Sequence, residues 1–264
     1  MKYGFIGLGN MAGAIITGMY QSGRFREDDI YGYAPSEATR QKMSQRFGVK
    51  TLNGNAEVVA ASDFVFLAVK PQFLNDVIPQ IRDLMKDKVL GTIVTGKDFN
   101  YYASEFGDIP VVRVVPNINS KVQASLTAVC ANDKGQQYVE AVKEIFETVG
   151  TVKEIPERQL TAFNSIAGAS PAFAYLYIDA LARAGLKNGL PKALALEVAA
   201  EAVKGSCELI LKSGEHPMAL VDQVTSPGGT TIEGIYVLQK KGFEDAVHEA
   251  IDAVIAKDEK IRKG

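Results

Sequence analysis

Cysteine is scarce in this 264-residue chain: Cys130 and Cys207 stand alone and far apart. They form no C-x-x-C pair. That excludes a disulfide scaffold and fits a reducing compartment with both thiols free. Histidine is as scarce. His216 and His248 are not spaced as metal ligands, no Ser/His/Asp or Cys/His constellation stands out, and no metal is expected. Neither charge is in excess. A net charge of −2 leaves no electrostatic footprint for nucleic acid. No apolar run reaches the roughly 18 residues that a membrane span needs, and neither a repeat nor a low-complexity tract is found. Met1 leads straight into a strand-like run, so no signal peptide is expected. A cytoplasmic protein without nucleic-acid or membrane partners is the simplest reading. With 47% hydrophobic residues, the chain can still bury a substantial core, in one large domain or two smaller ones.

What is present begins at the N-terminus. Lys2-Tyr3-Gly4-Phe5-Ile6 reads as a strand, Gly7-Leu8-Gly9-Asn10-Met11-Ala12 follows at once, and residues 13–19 read as a helix. Strand, G-x-G-x-x-A and helix in that order form a dinucleotide-binding fingerprint. Gly7 permits the tight turn. Gly9 admits the pyrophosphate to the backbone, and Ala12 is small enough for helix–strand packing. Residues 29–33 predict the second strand. An NAD enzyme usually ends that strand with Asp or Glu; this chain offers Ala34-Pro35-Ser36, with Arg40 one turn later. No carboxylate there repels a 2′-phosphate, so NADP(H) is favoured, although Arg40 reads equally well as a solvated helix-surface arginine.

Further along, residues 36–47 predict a helix, and Asn55 is placed to cap another over 56–61. Residues 64–69 are an unbroken apolar run, typical of a strand buried on both faces. It ends in Lys70-Pro71-Gln72, and a lysine there stands on the ligand side of a doubly wound sheet. A helix over 73–85 and strands over 89–94, 111–115, 126–130 and 151–155 follow, with a helix over 138–148. Pro116-Asn117 again falls at a strand's carboxyl end. After Pro156 the strands stop and the chain turns rich in Ala, Leu, Glu and Lys. The expected architecture is α/β: a Rossmann-like doubly wound domain over 1–155, then an all-helical domain over 156–264. The last helix carries Phe243, Ala246, Val247, Ala250, Val254, Ile255 and Ile261 at helical spacing. Several helices of this half are apolar on more than one side, which points to a dimer made through it.

One late stretch gathers the rest. Thr225-Ser226-Pro227-Gly228-Gly229-Thr230-Thr231-Ile232-Glu233-Gly234 precedes an apolar-periodic run. Ser226 is placed to cap a helix with Pro227 in its first position. The glycines let a small molecule approach the backbone, and the threonines add hydroxyls beside free N–H groups. Such a helix entrance favours an anion. With no strong acid or base in evidence, the chemistry expected is hydride transfer to an acceptor that is already electrophilic, such as a protonated imine.

The chain resembles the pyrroline-5-carboxylate reductase family along nearly all its length. The most specific piece is residues 226–234. Gly4-Phe5-Ile6-Gly7-Leu8-Gly9-Asn10-Met11, Ala68-Val69-Lys70-Pro71-Gln72, Arg113-Val114-Val115-Pro116-Asn117 and Gly168-Ala169-Ser170-Pro171-Ala172 support it. The resemblance implies reduction of 1-pyrroline-5-carboxylate to L-proline with NADPH, or less readily NADH. It implies a cofactor site made by Gly7, Gly9, Asn10, Met11, Ser36, Asn55, Ala68, Val69, Lys70 and Pro71. It implies a substrate carboxylate held by Ser226, Gly229, Thr230 and Thr231. Thr231, Asn164 and Lys70 are the candidate catalytic residues, Asn164 because its helix brings it toward the imine nitrogen. An interlocked homodimer is also implied, with rings of dimers in some members. The chain departs from the family pattern at Ile118-Asn119, where Thr-Pro is common, at Thr95-Gly96, where Ala-Gly is frequent, and at Ala169-Ser170, where the family has Ser-Gly.

Two other readings compete. A β-hydroxyacid dehydrogenase shares the plan of Rossmann domain plus helices, but needs a catalytic lysine in the first long helix of the second half, and residues 159–184 contain none. A non-catalytic NADP-binding sensor predicts cofactor binding without turnover, and leaves the Gly-Gly-Thr-Thr entrance without a purpose.

Overall fold

The computed structural model describes residues 1–263, with side chains to Lys260; the side chain of Ile261, expected in the last helix's apolar stripe, lies outside the described residues. The chain forms two compact units. One is residues 1–168 together with the chain's end from Ile255; the other is residues 169–254.

The first unit holds β1 (Tyr3–Ile6), α1 (Asn10–Gln21), β2 (Ile30–Tyr33), α2 (Glu37–Phe47), β3 (Lys50–Thr51), α3 (Asn55–Ala61), β4 (Phe64–Leu67) and α4 (Leu74–Ile81). It continues with β5 (Val89–Thr92), α5 (Phe99–Phe106), β6 (Val111–Val115), β7 (Ser125–Ala131), α6 (Val139–Phe146), β8 (Gly150–Glu154) and α7 (Leu160–Ala167). Among the described residues the strands make one sheet in the order β3-β2-β1-β4-β5-β6-β7-β8. β1 to β6 are mutually parallel. β7 runs antiparallel to β6 and parallel to β8.

The apolar run of β4 explains its central place. Successive side chains of a strand point to opposite faces. Phe64 and Phe66 enter one core with Ile15, Ile16 and Phe146, while Val65 and Leu67 enter another with Val58, Leu74 and Ile78. Helices therefore cover both faces, as a parallel sheet requires. On the first face Phe5 stacks on Phe66 at 5.0 Å and Phe64 on Phe66 at 4.7 Å. Gly91 of β5 leaves room for those rings, since a Cβ there would lie 2.5 Å from Phe66.

Several expectations need correction. The helix expected over 73–85 is divided: 3₁₀ turns at Pro71–Phe73 and Arg82–Leu84 flank α4. Asn55 does not cap α3. Gly54 is the N-cap, and the Asn55 amide instead donates to Gln80 Oε1 at 3.0 Å. α5 lies in a stretch where the sequence predicts no element. Its start is set by Asp98, whose carboxylate accepts from Tyr101 N–H at 2.9 Å.

The second unit contains α8 (Ser170–Lys187), α9 (Lys192–Ser213), α10 (Pro217–Val224), α11 (Thr230–Lys240) and the beginning of α12 (Phe243–Lys263). α8 and α9 pack through small residues, with Ala182, Ala195 and Ala199 buried between them beside Ile178. No helix among the described residues is long and apolar enough to cross a membrane.

Candidate active site

The strand order reverses between β1 and β4, and in such sheets the carboxyl ends at the reversal open a ligand crevice. β1 runs out at Ile6 into Gly7, which has φ +97°. Side-chain-bearing residues rarely adopt that conformation, and a Cβ on Gly7 would stand 2.7 Å from the Ala68 carbonyl oxygen. Gly7 N–H donates to Tyr33 O at 2.9 Å and Ala68 N–H to Ile6 O at 2.9 Å. The exits of β1, β2 and β4 are thus tied together.

Gly9 is the N-cap of α1, and no side chain caps it. The first-turn N–H groups of α1 have no intrahelical partner. A Cβ on Gly9 would meet nothing within 4 Å, so space is left above those N–H groups. The adjoining cavity, about 490 Å³, is lined by Gly7, Gly9, Ser36, Asn55, Ala68, Val69 and Lys70. These are seven of the ten residues expected at the cofactor. Of the other three, Asn10 lines a neighbouring groove between α1 and α2, Met11 packs against the core, and Pro71 opens the following 3₁₀ turn without lining the cavity. Tyr33, Phe73, Asp76 and Gln80 also line it and were not foreseen. The last two come from α4, whose approach depends on tertiary packing.

Ala34-Pro35-Ser36 at the end of β2 bounds this cavity. The Ser36 hydroxyl accepts from Thr39 N–H at 3.4 Å and caps α2. Arg40 is turned onto the backbone: its Nη1 donates to Ala34 O at 2.6 Å and Pro35 O at 3.0 Å. Its guanidinium stands 5.5 Å from the Tyr33 ring centre. The arginine therefore braces the loop that a 2′-phosphate would meet. The crevice suits a dinucleotide phosphate by shape and by its bare helix terminus.

A second cavity of about 440 Å³ opens at the carboxyl ends of β5 and β6, lined by Thr95, Gly96, Arg113, Val115, Glu157 and Asn164 among others. Here the expected catalytic Asn164 meets the strand ends. Arg113 and Glu157 form an ion pair, and Glu157 Oε1 also accepts from Phe99 N–H at 2.9 Å. Nothing in the sequence singles out Glu157. Cys130, paired with Arg113 across β6 and β7, has its thiol pushed up to about 12 by burial, so it stays protonated and unreactive.

The second unit brings Ser226, Gly229, Thr230 and Thr231 together at the start of α11. The helix begins later than expected. Ser226 does not cap it and Pro227 is not its first residue; Gly229 is the N-cap, with no side-chain bond. Gly228 has φ +70°, and Gly229 N–H closes on Ser226 O at 2.9 Å. This is a Pro-Gly β-turn, which a helix cannot absorb. The turn folds the Ser226 hydroxyl over Gly229, where a Cβ would lie 2.6 Å from it. The result is an exposed helix N-terminus with unpaired N–H groups, the Ser226 hydroxyl folded against it and Thr230 and Thr231 in its first turn, a fitting seat for a carboxylate.

Two family models match the chain: pyrroline-5-carboxylate reductase dimerisation over residues 157–261 and NADP oxidoreductase, coenzyme F420-dependent, over residues 2–96. The pyrroline-5-carboxylate reductase of Escherichia coli (strain K12) is 38% identical over 265 residues, covering 99% of this chain and 98% of that protein. Pyrroline-5-carboxylate reductase 2 of Bacillus subtilis (strain 168) is 32% identical, covering 99% and 95%. Among solved structures, the Plasmodium falciparum pyrroline carboxylate reductase with NADP bound superposes with TM-score 0.90 at 29% identity, covering 99% of this chain and 98% of that one.

Proposed function

The chain belongs to the pyrroline-5-carboxylate reductase family, and from that premise we propose how its residues divide the work. The protein is an oxidoreductase that reduces the imine of 1-pyrroline-5-carboxylate to L-proline, the last step of proline biosynthesis, with NADPH as reductant. The observation that carries this is a dinucleotide crevice at the β1/β4 reversal of a chain that matches reductases from end to end.

NADPH, when bound, supplies the hydride that adds to the imine carbon. Gly7, Gly9 and the first-turn N–H groups of Asn10 and Met11 receive the pyrophosphate. Ser36 serves the 2′-phosphate, at a strand end without a carboxylate. Asn55 and the Ala68, Val69 and Lys70 loop flank the cofactor, Pro71 fixes the end of that loop, and Lys70 adds positive charge beside the phosphates. The N–H groups of Thr230 and Thr231, with the Ser226 and Thr231 hydroxyls, hold the substrate carboxylate, and Gly229 lets it reach the backbone. Asn164 orients the imine nitrogen. A protonated imine is already electrophilic, so no strong acid is required of the protein.

The protein is a homo-oligomer. We place its dimer interface in the helical half, with residues 1–155 as the cofactor domain and 156–264 as the substrate and dimerisation domain; the dimerisation match beginning at residue 157 supports this division. A ring of dimers and a cytoplasmic location complete the proposal. The test is direct: purified protein with pyrroline-5-carboxylate and NADPH consumes the reduced-nicotinamide absorbance. No turnover with either NADPH or NADH overturns it.

A further inference from the structure

The sequence marks Asn117 as a residue at a strand exit and as the end of one motif of the resemblance, without giving it a role. Its surroundings assign it more. Asn117 is 7% exposed, and its polar atoms are all engaged. Its N–H donates to Ser125 Oγ at 3.2 Å, and its carbonyl accepts from Ser120 N–H at 3.1 Å and Ser120 Oγ at 2.7 Å. The side-chain amide reaches two ways. Oδ1 accepts from Asn119 N–H at 3.2 Å, and Nδ2 donates to Ala167 O at 2.9 Å. The N–H of Asn119 fixes which way the amide is turned, so the NH₂ faces a carbonyl as chemistry requires.

Ala167 is the last residue of α7. The other end of that helix is tied to the same strand, because Glu157, in the turn leading into α7, is ion-paired with Arg113 of β6. β6 and its exit therefore hold α7 at both ends. Between them lies Asn164, which lines the cavity at the carboxyl ends of β5 and β6. Gly168 closes over it: a Cβ there would stand 2.5 Å from Asn164 Oδ1.

We propose that Asn117 is a positioning residue of the reductase. By anchoring the end of α7 it sets where Asn164 stands at the strand ends. The chemical consequence rests on the function proposed above; the anchoring does not.

Asn117→Asp tests it. The variant keeps size and the acceptor for Asn119 N–H, but its ionised carboxylate turns an oxygen on Ala167 O where a donor was. Expected are a 10- to 100-fold fall in kcat, roughly the factor for losing one buried hydrogen bond, NADPH Kd within about twofold, since the crevice is untouched, and faster amide exchange across Leu160–Ala167. Asn119→Pro removes the other donor while sparing the bond to Ala167, and is expected to hold kcat within about twofold. Unchanged exchange across α7 in Asn117→Asp overturns the anchoring. Accelerated exchange with unchanged kcat overturns the positioning role. A loss of NADPH affinity in step with Tm makes the residue merely structural and also overturns it. A wild-type protein without turnover defeats the proposed function, and the exchange measurement still decides the anchor.

Discussion

A glycine can be kept for the chain's own conformation or for what must come near it, and Gly7 and Gly9 separate these reasons two residues apart. Gly7 has φ +97° and a carbonyl 2.7 Å from where its Cβ would be. Gly7→Ala therefore strains the fold itself, by about 3 kcal/mol or more, a drop of roughly 6–12 °C in Tm. Gly9 has an ordinary φ of −75° and open space where its Cβ would point. Gly9→Ala is expected to lower Tm by no more than about 4 °C, yet to weaken NADPH by about tenfold or more, because the methyl group occupies the approach to the α1 N–H groups. Calorimetry of cofactor binding decides it, and wild-type NADPH affinity in Gly9→Ala would remove that glycine from the site. The turn at Gly7 is legible in the sequence, and G-x-G-x-x-A between strand and helix is also what assigns Gly9 its proposed role. The bracing role of Arg40 is not, because a long side chain's partner depends on the loop it folds back on.

At the scale of elements, the start of α11 matters most. Its N-terminus is bare because the Pro-Gly turn delays the helix to Thr230, leaving the Thr231 hydroxyl beside unpaired N–H groups. Thr231→Ala should raise the KM for pyrroline-5-carboxylate by about 10- to 100-fold, the value of one charge-assisted hydrogen bond of roughly 1.5–3 kcal/mol. It should leave the KM for NADPH nearly unchanged. An unaltered substrate KM removes the threonine from the carboxylate. The central strands were legible because unbroken apolar runs have one home in a parallel sheet, and the helices because their apolar positions recur at helical spacing. α5 was not: only Tyr102 and Phe106 of it are buried, too few for a period, although Asp98 before it and Gly107 after it are boundary signals. The reversal of β7 could have been read from loop length. Residues 116–124 separate β6 from β7, which is shorter than the dozen or more residues a parallel crossover needs. The turn that displaces the α11 start needed the positive φ of Gly228, which a sequence offering both a cap and a turn leaves open.

At the scale of the molecule, two balances set stability. The first is alkaline. Burial pushes the Cys130 thiol and the Tyr102 and Tyr20 hydroxyls up to about 12, from ordinary values of 9.0 and 10.0. Below pH 9 both folded and unfolded chains keep these protons and stability is intact. From about pH 9 the unfolded chain releases the thiol proton and from about pH 10 the tyrosine protons, while the folded chain holds them to about pH 12. Stability therefore falls with each pH step, by at most about 1.4 kcal/mol for buried Tyr102 and by less for Cys130 and Tyr20, which are less deeply buried. Cys130→Val should delay the onset toward pH 10 in urea titrations; an unchanged onset excludes the thiol. The second balance is association. Among the described residues of the second unit only Pro171, Ala182, Ala195 and Ala199 are buried, while Leu176 is 72% and Leu211 84% exposed, with Tyr175, Leu196, Leu209 and Tyr236 also open. Burying each such side chain is worth about 1.5–3 kcal/mol, so covering them in the proposed dimer would add substantially to the stability of these helices. On a monomer, Leu→Asp at sites this exposed would shift stability by about 0.5 kcal/mol at most. On a dimer, Leu176→Asp with Leu209→Asp places charges in the covered face. The double variant should run as a monomer in light scattering and lose the rise of Tm with protein concentration expected of a dimeric wild type. A wild type that is monomeric with a concentration-independent Tm would mean that the apolar helices are covered by something other than this chain.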